Sequence, residues 1–550
     1  MTVTTRGSGD GGASRTYSTP DEVTSKLATL RRTFASGRTK NLKYRKWQLK
    51  QLYWLIEDHE FDITKALAAD LGKHEFETLA GDIAGCKSDI LLHIANLEAW
   101  TADERPADAG FVFRHVGSAV VRKEPRGVVL VIGAWNFPLL LVVQPLVAAV
   151  AAGCTVLVKP SEMAARTEAL LAELLPKYLD PEAYAVVTGG PAETGFVLAQ
   201  RFDHIFFTGS AGVARHVALA AAKNLTPTVL ELGGQGPAIV TAKADVDLAA
   251  KRILAAKFMN AGQICLSVNH VFVDPTVHTE FVRRLNFWVG EFNGQGDKHY
   301  EEMTNIINER NYDRLKGAYD KSAGKKLTNG REFVRENLRI PLTIVDDVTT
   351  DDSLMKEELF GPILPVIRAT YHEAVREMAR LPHALSLYIF SESRPEIDYI
   401  LSHTLTGGVT INDCMVHAGT PGVPFGGVGD SGSGSYHGKY GVEAFTHKRA
   451  VVQLPNWLDK VMGFRYPPYD MEKNRKRVEK KNTLGFKRGE GIEDQVIKMP
   501  GEGGGWKKYT LVLALFAIAV GSWRSGIGPV WLQELAGRIV GTMSGVLASK

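Results

Sequence analysis

One cysteine stands where a chain can make it reactive. In the stretch 258–267, FMNAGQICLS, a helix predicted over 248–259 breaks at Ala261-Gly262-Gln263 and presents Cys265. Glycine lets the backbone turn tightly at a helix end. Backbone N–H groups beside such a turn favour a thiolate, the form that attacks carbon. The plainer alternative is a small buried hydrophobe, the usual fate of a lone cysteine. The stretch by itself leaves both readings open.

The partners a thiolate would need are sought at strand ends. Short apolar runs alternate with helices: GVVLVI at 127–132, CTVLV at 154–158, HIFF at 204–207 and TVLEL at 228–232, with helices predicted over 139–152, over 165–174 and, after HIFF, through Ala222. That alternation means βαβ units and a parallel sheet. Ligands of such sheets sit beyond the carboxyl ends of the strands. Those ends carry Trp135-Asn136, Lys159-Pro160-Ser161-Glu162, Thr208-Gly209-Ser210 and Glu231 with Gly233-Gly234-Gln235-Gly236. Lys159 and Glu162 together suit the hydroxyls of a ribose. The glycines alone say little, because Gly209 to Ala214 is not a GxGxxG fingerprint and a glycine after a strand commonly just connects. A second α/β region runs from about Ala238 to Thr406; within it Glu357-Glu358-Leu359-Phe360-Gly361-Pro362 sets carboxylates beside an aromatic and a Gly-Pro turn. A solvated helix end would look the same. The glycine-dense run at 421–441 contains Phe425, Tyr436, His437 and Tyr440, which favours an ordered loop over a tether.

Totals exclude several classes. The chain has 550 residues, 45% apolar and 23% charged, as in soluble globular proteins of two or three domains. A net charge of +4, with no stripe of interleaved basic and aromatic residues, gives no support to nucleic acid as a partner. Cys86, Cys154, Cys265 and Cys414 show no CxxC spacing, so no metal-ligand or redox pair is indicated, and their scatter fits a reducing compartment.

Several motifs in this order resemble the NAD(P)-dependent aldehyde dehydrogenase superfamily: Asn136 in AWNFP, Lys159 and Glu162 in KPSE, Glu231 in LELGG, Cys265 in NAGQIC, and Glu358 with Phe360 in EELFGP. The resemblance runs from about Asp21 to about Leu454, and the 34-residue separation of Glu231 and Cys265 agrees with it. ADLGKHEFET, VVQPLVAAVAAGC, VPFGGVGDSGSGSYHGKYG and FRYPPY resemble the class 3 and fatty aldehyde dehydrogenase branch. It implies an α/β fold with a Rossmann-like NAD-binding domain and an α/β catalytic domain. It implies that Cys265 attacks the aldehyde, giving a thiohemiacetal. Asn136 and the Cys265 N–H would hold the oxyanion, and Glu231 would activate the water that hydrolyses the thioester. The cofactor would be NAD, with NADP less favoured because a 2′-phosphate would meet Glu162. Lys159 and Glu162 would hold the adenosine ribose, Glu358 the nicotinamide ribose with Phe360 beside it, and Ser210 after Gly209 would approach the pyrophosphate; Trp135 and Val213 complete the cofactor site. Two positions depart from the family: Ala214 where Gly is frequent, and Gln235 where Lys is frequent.

The elements around these residues divide as follows. Residues 1–18 read as a disordered leader and 19–232 as the NAD-binding domain, opened by a capping box at Thr19 and Glu22. Helical patterning to about Trp100, with one helix closing at Gly72, reads as a structural layer. Residues 111–123 read as a β-arm for dimerisation. The catalytic domain covers 233–410, and 411–454 returns to complete the core and the dimer interface. Residues 455–505 hold an amphipathic helix at 456–464, which the resemblance suggests is a gate over the substrate entrance, with packing on a partner subunit as the equal alternative, and a basic linker at 470–488. In 506–550 the uncharged run 509–523, bracketed by Tyr509 and Trp523, is 15 residues long. As a helix it would measure ~22 Å against a bilayer core of ~30 Å. An amphipathic stretch follows Pro529, so the tail is expected to attach the protein to a lipid membrane on its cytosolic side; endoplasmic reticulum, outer mitochondrial membrane, peroxisome and lipid droplet all fit. The expected activity is oxidation of long-chain aliphatic aldehydes to fatty acids by a homodimer. A coenzyme A-acylating enzyme and a catalytically dead, membrane-tethered scaffold are the alternatives.

Overall fold

The computed structural model describes residues 17–293, 302–327, 331–478 and 485–497. The leader up to residue 16 and the expected membrane segment 506–550 lie outside them. Among the described residues no helix is long and apolar enough to cross a membrane. The chain divides into two units, 1–455 and 456–550.

Helices Pro20–Ala35, Leu42–Asp58, Glu60–Leu71 and Ala84–Thr101 form the N-terminal layer. Thr19 caps the first through the Glu22 N–H at 3.2 Å, but the Glu22 carboxylate turns to Lys26, so the expected box closes on one side only. Gly72 ends the third helix in the left-handed region at φ 61°, and a Cβ there would meet the Asn305 amide at 2.6 Å.

Among the described residues a six-stranded sheet has the order β14-β6-β5-β2-β3-β4. Its strands are β2 Val128–Ile132, β3 Thr155–Lys159, β4 Tyr184–Val186, β5 His204–Thr208, β6 Thr228–Glu231 and the short β14 Gly432–Ser433. β2, β3 and β5 are buried along their whole length, which explains their unbroken apolar runs. Each fully buried Val or Leu there contributes ~1.5–3 kcal/mol. Helices Leu140–Ala152, Ala165–Tyr178 and Ala211–Lys223 make the crossovers. In parallel register Ile132 pairs Lys159 and Phe207, and Thr208 pairs Glu231, so the polar strand ends stand in one row.

The second sheet begins six residues after Glu231. Its order is β13-β12-β7-β8-β11-β10-β9, built from β7 Pro237–Val240, β8 His270–Val273, β9 Lys325–Leu327, β10 Thr343–Asp346, β11 Ile363–Arg368, β12 Ser386–Phe390 and β13 Gly408–Ile411. β1 Ser118–Pro125 pairs antiparallel with β15 Thr446–Gln453. The arm is shorter than expected. β15 ends opposite Ser118, so residues 112–116 have no ladder partner; they close a π-helical turn, Val112–Val116, with the Gly117 N–H on the Val112 carbonyl at 2.8 Å.

In the second unit, 3-10 turns Asn456–Leu458 and Gly463–Arg465 flank a single α-helical turn, Asp459–Met462, and the basic run opens with a helix, Met471–Val478. The amphipathic helix expected at 456–464 is therefore mostly 3-10.

Candidate active site

The cysteine turn is a clamped left-handed corner. Asp245 caps helix Val246–Phe258 through the Leu248 N–H at 3.0 Å. Beyond its end Asn260, Ala261 and Gly262 take φ of 51°, 52° and 67°. This region costs an L-residue roughly 1–2 kcal/mol, so neighbours must hold it. Gly262 is obligatory, because a Cβ would lie 2.4 Å from the Gly361 carbonyl oxygen. The Gln263 side chain donates to the carbonyls of Asn260 (3.1 Å) and Asn305 (2.9 Å) and accepts from the Ile307 N–H at 3.0 Å. The Tyr388 hydroxyl donates to the Leu266 carbonyl at 2.5 Å. Cys86, Cys154 and Cys414 are buried, whereas Cys265 is partly open. Of the four, it is the one a substrate can reach.

Its protonation runs against the sequence expectation. The Cys265 thiol is pushed up to about 12, first by burial and then by the carboxylates of Glu358 and Glu231. The N–H groups of Cys265 and Leu266 do favour the thiolate, but they are outweighed. A turn alone does not activate this sulfur.

Asn136 is 3% exposed and its Nδ2 donates to the Gln263 carbonyl at 3.0 Å. Its own carbonyl accepts from Asn260 Nδ2 at 3.0 Å and from Lys73 Nζ at 3.4 Å. An amide nitrogen has a second hydrogen, the one an oxyanion would take. Glu231, at the end of β6, is 2% exposed, and neither carboxylate oxygen has a hydrogen-bond partner. Burial raises its pKa well above the ordinary value. A buried carboxylate without a partner is costly unless it stays neutral, and a raised carboxyl is suited to general acid–base work near neutrality.

The remaining residues form a second cluster. Lys159 is buried and pairs with Glu162 at 2.9 Å. Ser210 caps helix Ala211–Lys223 through the Val213 N–H at 3.4 Å. Val213, on the first turn, is exposed. Gly209 is needed because a Cβ would strike the Phe207 ring at 2.5 Å. Trp135 and Phe360 meet edge to face at 5.3 Å. The Glu358 carboxylate lies against Gly233, where a Cβ would fall 2.4 Å from Oε1, and burial pushes its pKa up to about 7. A helix N-terminus with an exposed apolar residue, a half-buried Lys–Glu pair and a carboxylate over glycines together suit a dinucleotide carrying two riboses.

Both departures from the family acquire a structural account. The Ala214 methyl is 3% exposed and packs among Ile205, Phe207 and Val217. Gln235 Nε2 donates to the carbonyls of Met355 (2.9 Å) and Glu357 (3.1 Å). With Arg314, which donates to the carbonyls of Glu358 (3.3 Å) and Leu359 (2.6 Å), it fixes the Glu358 loop.

Three participants were not singled out from sequence. Lys73 and Asp82 pair at 2.8 Å with both side chains fully buried, and Lys73 Nζ sits 4.0 Å over the Phe137 ring. Lys257 is buried, donates to the Val268 carbonyl at 2.9 Å, and is lowered by burial to about 7 against the pull of Glu358. Nothing in the sequence marks Lys257. Lys73 and Asp82 fall in or beside the ADLGKHEFET motif, which was read as a structural layer.

The aldehyde dehydrogenase family model matches residues 2–451. "Aldehyde dehydrogenase family 3 member A2" of Rattus norvegicus is 40% identical over 440 residues, covering 80% of this chain and 90% of the relative. "Aldehyde dehydrogenase, dimeric NADP-preferring" of the same organism is 39% identical over 447 residues, covering 81% and 98%. A solved structure, "Substrate bound state of Staphylococcus Aureus AldH", superposes with a TM-score of 0.79 at 34% identity, covering 83% of this chain and 98% of the other.

Proposed function

The chain belongs to the aldehyde dehydrogenase family, with class 3 members among its relatives, and on that premise we propose that it oxidises long-chain aliphatic aldehydes to carboxylic acids with NAD. The observation that carries the reaction is a partly open Cys265 whose thiol feels the charge of a buried, unpartnered Glu231. The Cys265 sulfur bonds to the aldehyde carbon as its thiol proton passes to the ionised Glu231 carboxylate, which releases it to solvent before hydrolysis. The Asn136 amide and the Cys265 N–H take the charge on oxygen. NAD, when bound, would supply the hydride acceptor, and loss of hydride from that carbon would leave a thioester on the Cys265 sulfur. Glu231 removes a proton from water as the water attacks; the acid departs and the thiol is restored. Lys159, Glu162, Ser210 and Glu358 would hold the dinucleotide, with Trp135, Gly209, Val213 and Phe360 shaping its bed.

Glu231 also favours hydrolysis over transfer to coenzyme A, since transfer needs no water-activating base. The presence of Cys265, Glu231 and Asn136 together speaks against an inert scaffold. Glu162 favours NAD, although one relative is named NADP-preferring. A homodimer is supported by the exposed strand β15, by edge strand β13, and by that relative's description as dimeric. The apolar run 509–523 supports attachment to a membrane facing the cytosol, and with it a lipid-borne substrate. The test is NADH formation across aldehydes of increasing chain length, with products identified. Rising kcat/KM toward long chains and free acid as product are expected. A preference for short aldehydes, or acyl-CoA as the product, would refute the reading.

A further inference from the structure

The ADLGKHEFET segment reaches into the active site. It passes through the short helix Glu75–Glu77 into a π-helical turn, Thr78–Ile83. There the Asn260 N–H donates to Glu77 Oε2 at 2.9 Å, and the Thr304 hydroxyl donates to the same oxygen at 3.2 Å. Asn260 is the first left-handed residue of the cysteine turn and is fully buried. It is also a hub, since its Nδ2 donates to the carbonyls of both Asn136 (3.0 Å) and Gln263 (3.1 Å). The same segment holds Lys73, which pairs with Asp82 and donates to the same Asn136 carbonyl at 3.4 Å.

We propose that Glu77 is a positioning residue: its carboxylate holds Asn260 in the left-handed region and thereby fixes the spacing between the Asn136 amide and Cys265. This rests on the reading of Cys265 as nucleophile. A bond from an N–H to a carboxylate is charge-assisted and stronger than a neutral one. It acts at a left-handed residue whose side chain ties the Asn136 carbonyl to the Gln263 carbonyl, two residues before Cys265. Without it Asn260 can relax, and both oxyanion donors shift relative to the sulfur.

The experiment uses the full chain and compares Glu77→Ala, Glu77→Gln and Cys265→Ser by kcat, both KM values and the rate of Cys265 alkylation by iodoacetamide. Misplacement on the order of 1 Å costs ~100-fold in rate, so Glu77→Ala should lower kcat by roughly 10- to 100-fold. The KM for NAD should stay within about twofold, because cofactor contacts lie elsewhere. Glu77→Gln keeps an oxygen acceptor for the Asn260 N–H and should retain kcat within about threefold. A folded Glu77→Ala protein with wild-type kcat would overturn the proposal, as would Glu77→Gln failing as badly as Ala. Glu77→Met, which keeps the volume without the acceptor, replaces Ala if Ala does not fold. If neither folds while Glu77→Gln does, Glu77 serves stability and the proposal fails. Turnover by Cys265→Ser would instead overturn the nucleophile reading, whatever the Glu77 variants do.

Discussion

Replacing Glu231 by Gln should slow the enzyme and, with rising pH, stabilise it relative to wild type. Both oxygens of the carboxylate are buried without partners, and burial holds its pKa well above the ordinary value. In the unfolded chain a Glu titrates near ~4.3. Below that pH both states are protonated and the group costs nothing. As pH rises past it, the unfolded chain releases a proton that the folded one keeps. Wild-type stability therefore falls by ~1.4 kcal/mol per pH unit from this residue, until the folded pKa is reached. Gln does not titrate. Its amide adds an offset that is the same at every pH, so the slope of the difference belongs to Glu231 alone. At ~2.1 cal/mol/K of unfolding entropy per residue, a unit of this size gains about 1–2 °C in Tm, relative to wild type, per pH unit. Scanning calorimetry of both proteins from pH 4.5 upward measures it. Turnover of the variant should drop ~10²- to 10⁴-fold through loss of the base, and the first-turnover burst of NADH should slow as well, because Gln cannot take the thiol proton. Parallel Tm curves would show that Glu231 ionises as it does in water. Wild-type turnover by the variant would refute its role as base.

Asn136→Ala removes the proposed oxyanion donor and should cut kcat by ~10²- to 10³-fold with little change in the KM for NAD, measured by steady-state kinetics. Gly262→Ala brings a Cβ against the Gly361 carbonyl at positive φ; a loss of at least ~1 kcal/mol of stability is expected with loss of activity, read by thermal melting and assay. Glu358→Gln removes the larger of the two charges that raise the Cys265 thiol, so its pKa should fall from about 12 and alkylation by iodoacetamide at pH 8 should accelerate, even as the KM for NAD rises.

The strand ends were legible because parallel strands buried on both faces leave unbroken apolar runs, and the next polar residue then marks the ligand edge. Thus Asn136, Lys159, Ser210 and Glu231 could be aligned before any coordinates. The Phe111–Lys123 arm was misjudged at its start, since the alternation FVFRHV does not reveal that β15 stops opposite Ser118. Lys257 was invisible: a lysine within a helix ordinarily faces water, and only packing of that helix buries it. Glu77 was likewise hidden, because its partner Asn260 lies 183 residues away. Gln235 looked like the loss of a charge; its role emerges only when the loop at 355–358 folds over it.

The thiol at about 12 changes how the site must be understood. Burial and the neighbouring carboxylates hold the sulfur as a thiol near neutral pH, so attack does not draw on a standing thiolate. The proton needs a destination during the reaction. Glu231 is raised as well, so at rest both groups hold their protons; once Glu231 has lost its own, it accepts the sulfur's proton more readily than a solvent-exposed carboxylate would. In that ionised state the pair shares one proton, as coupled buried groups do. Keeping the resting sulfur neutral also protects it, since oxidation and alkylation follow thiolate character. The same burial that makes Cys265 look inert in isolation is what lets a neighbouring carboxylate decide when it reacts.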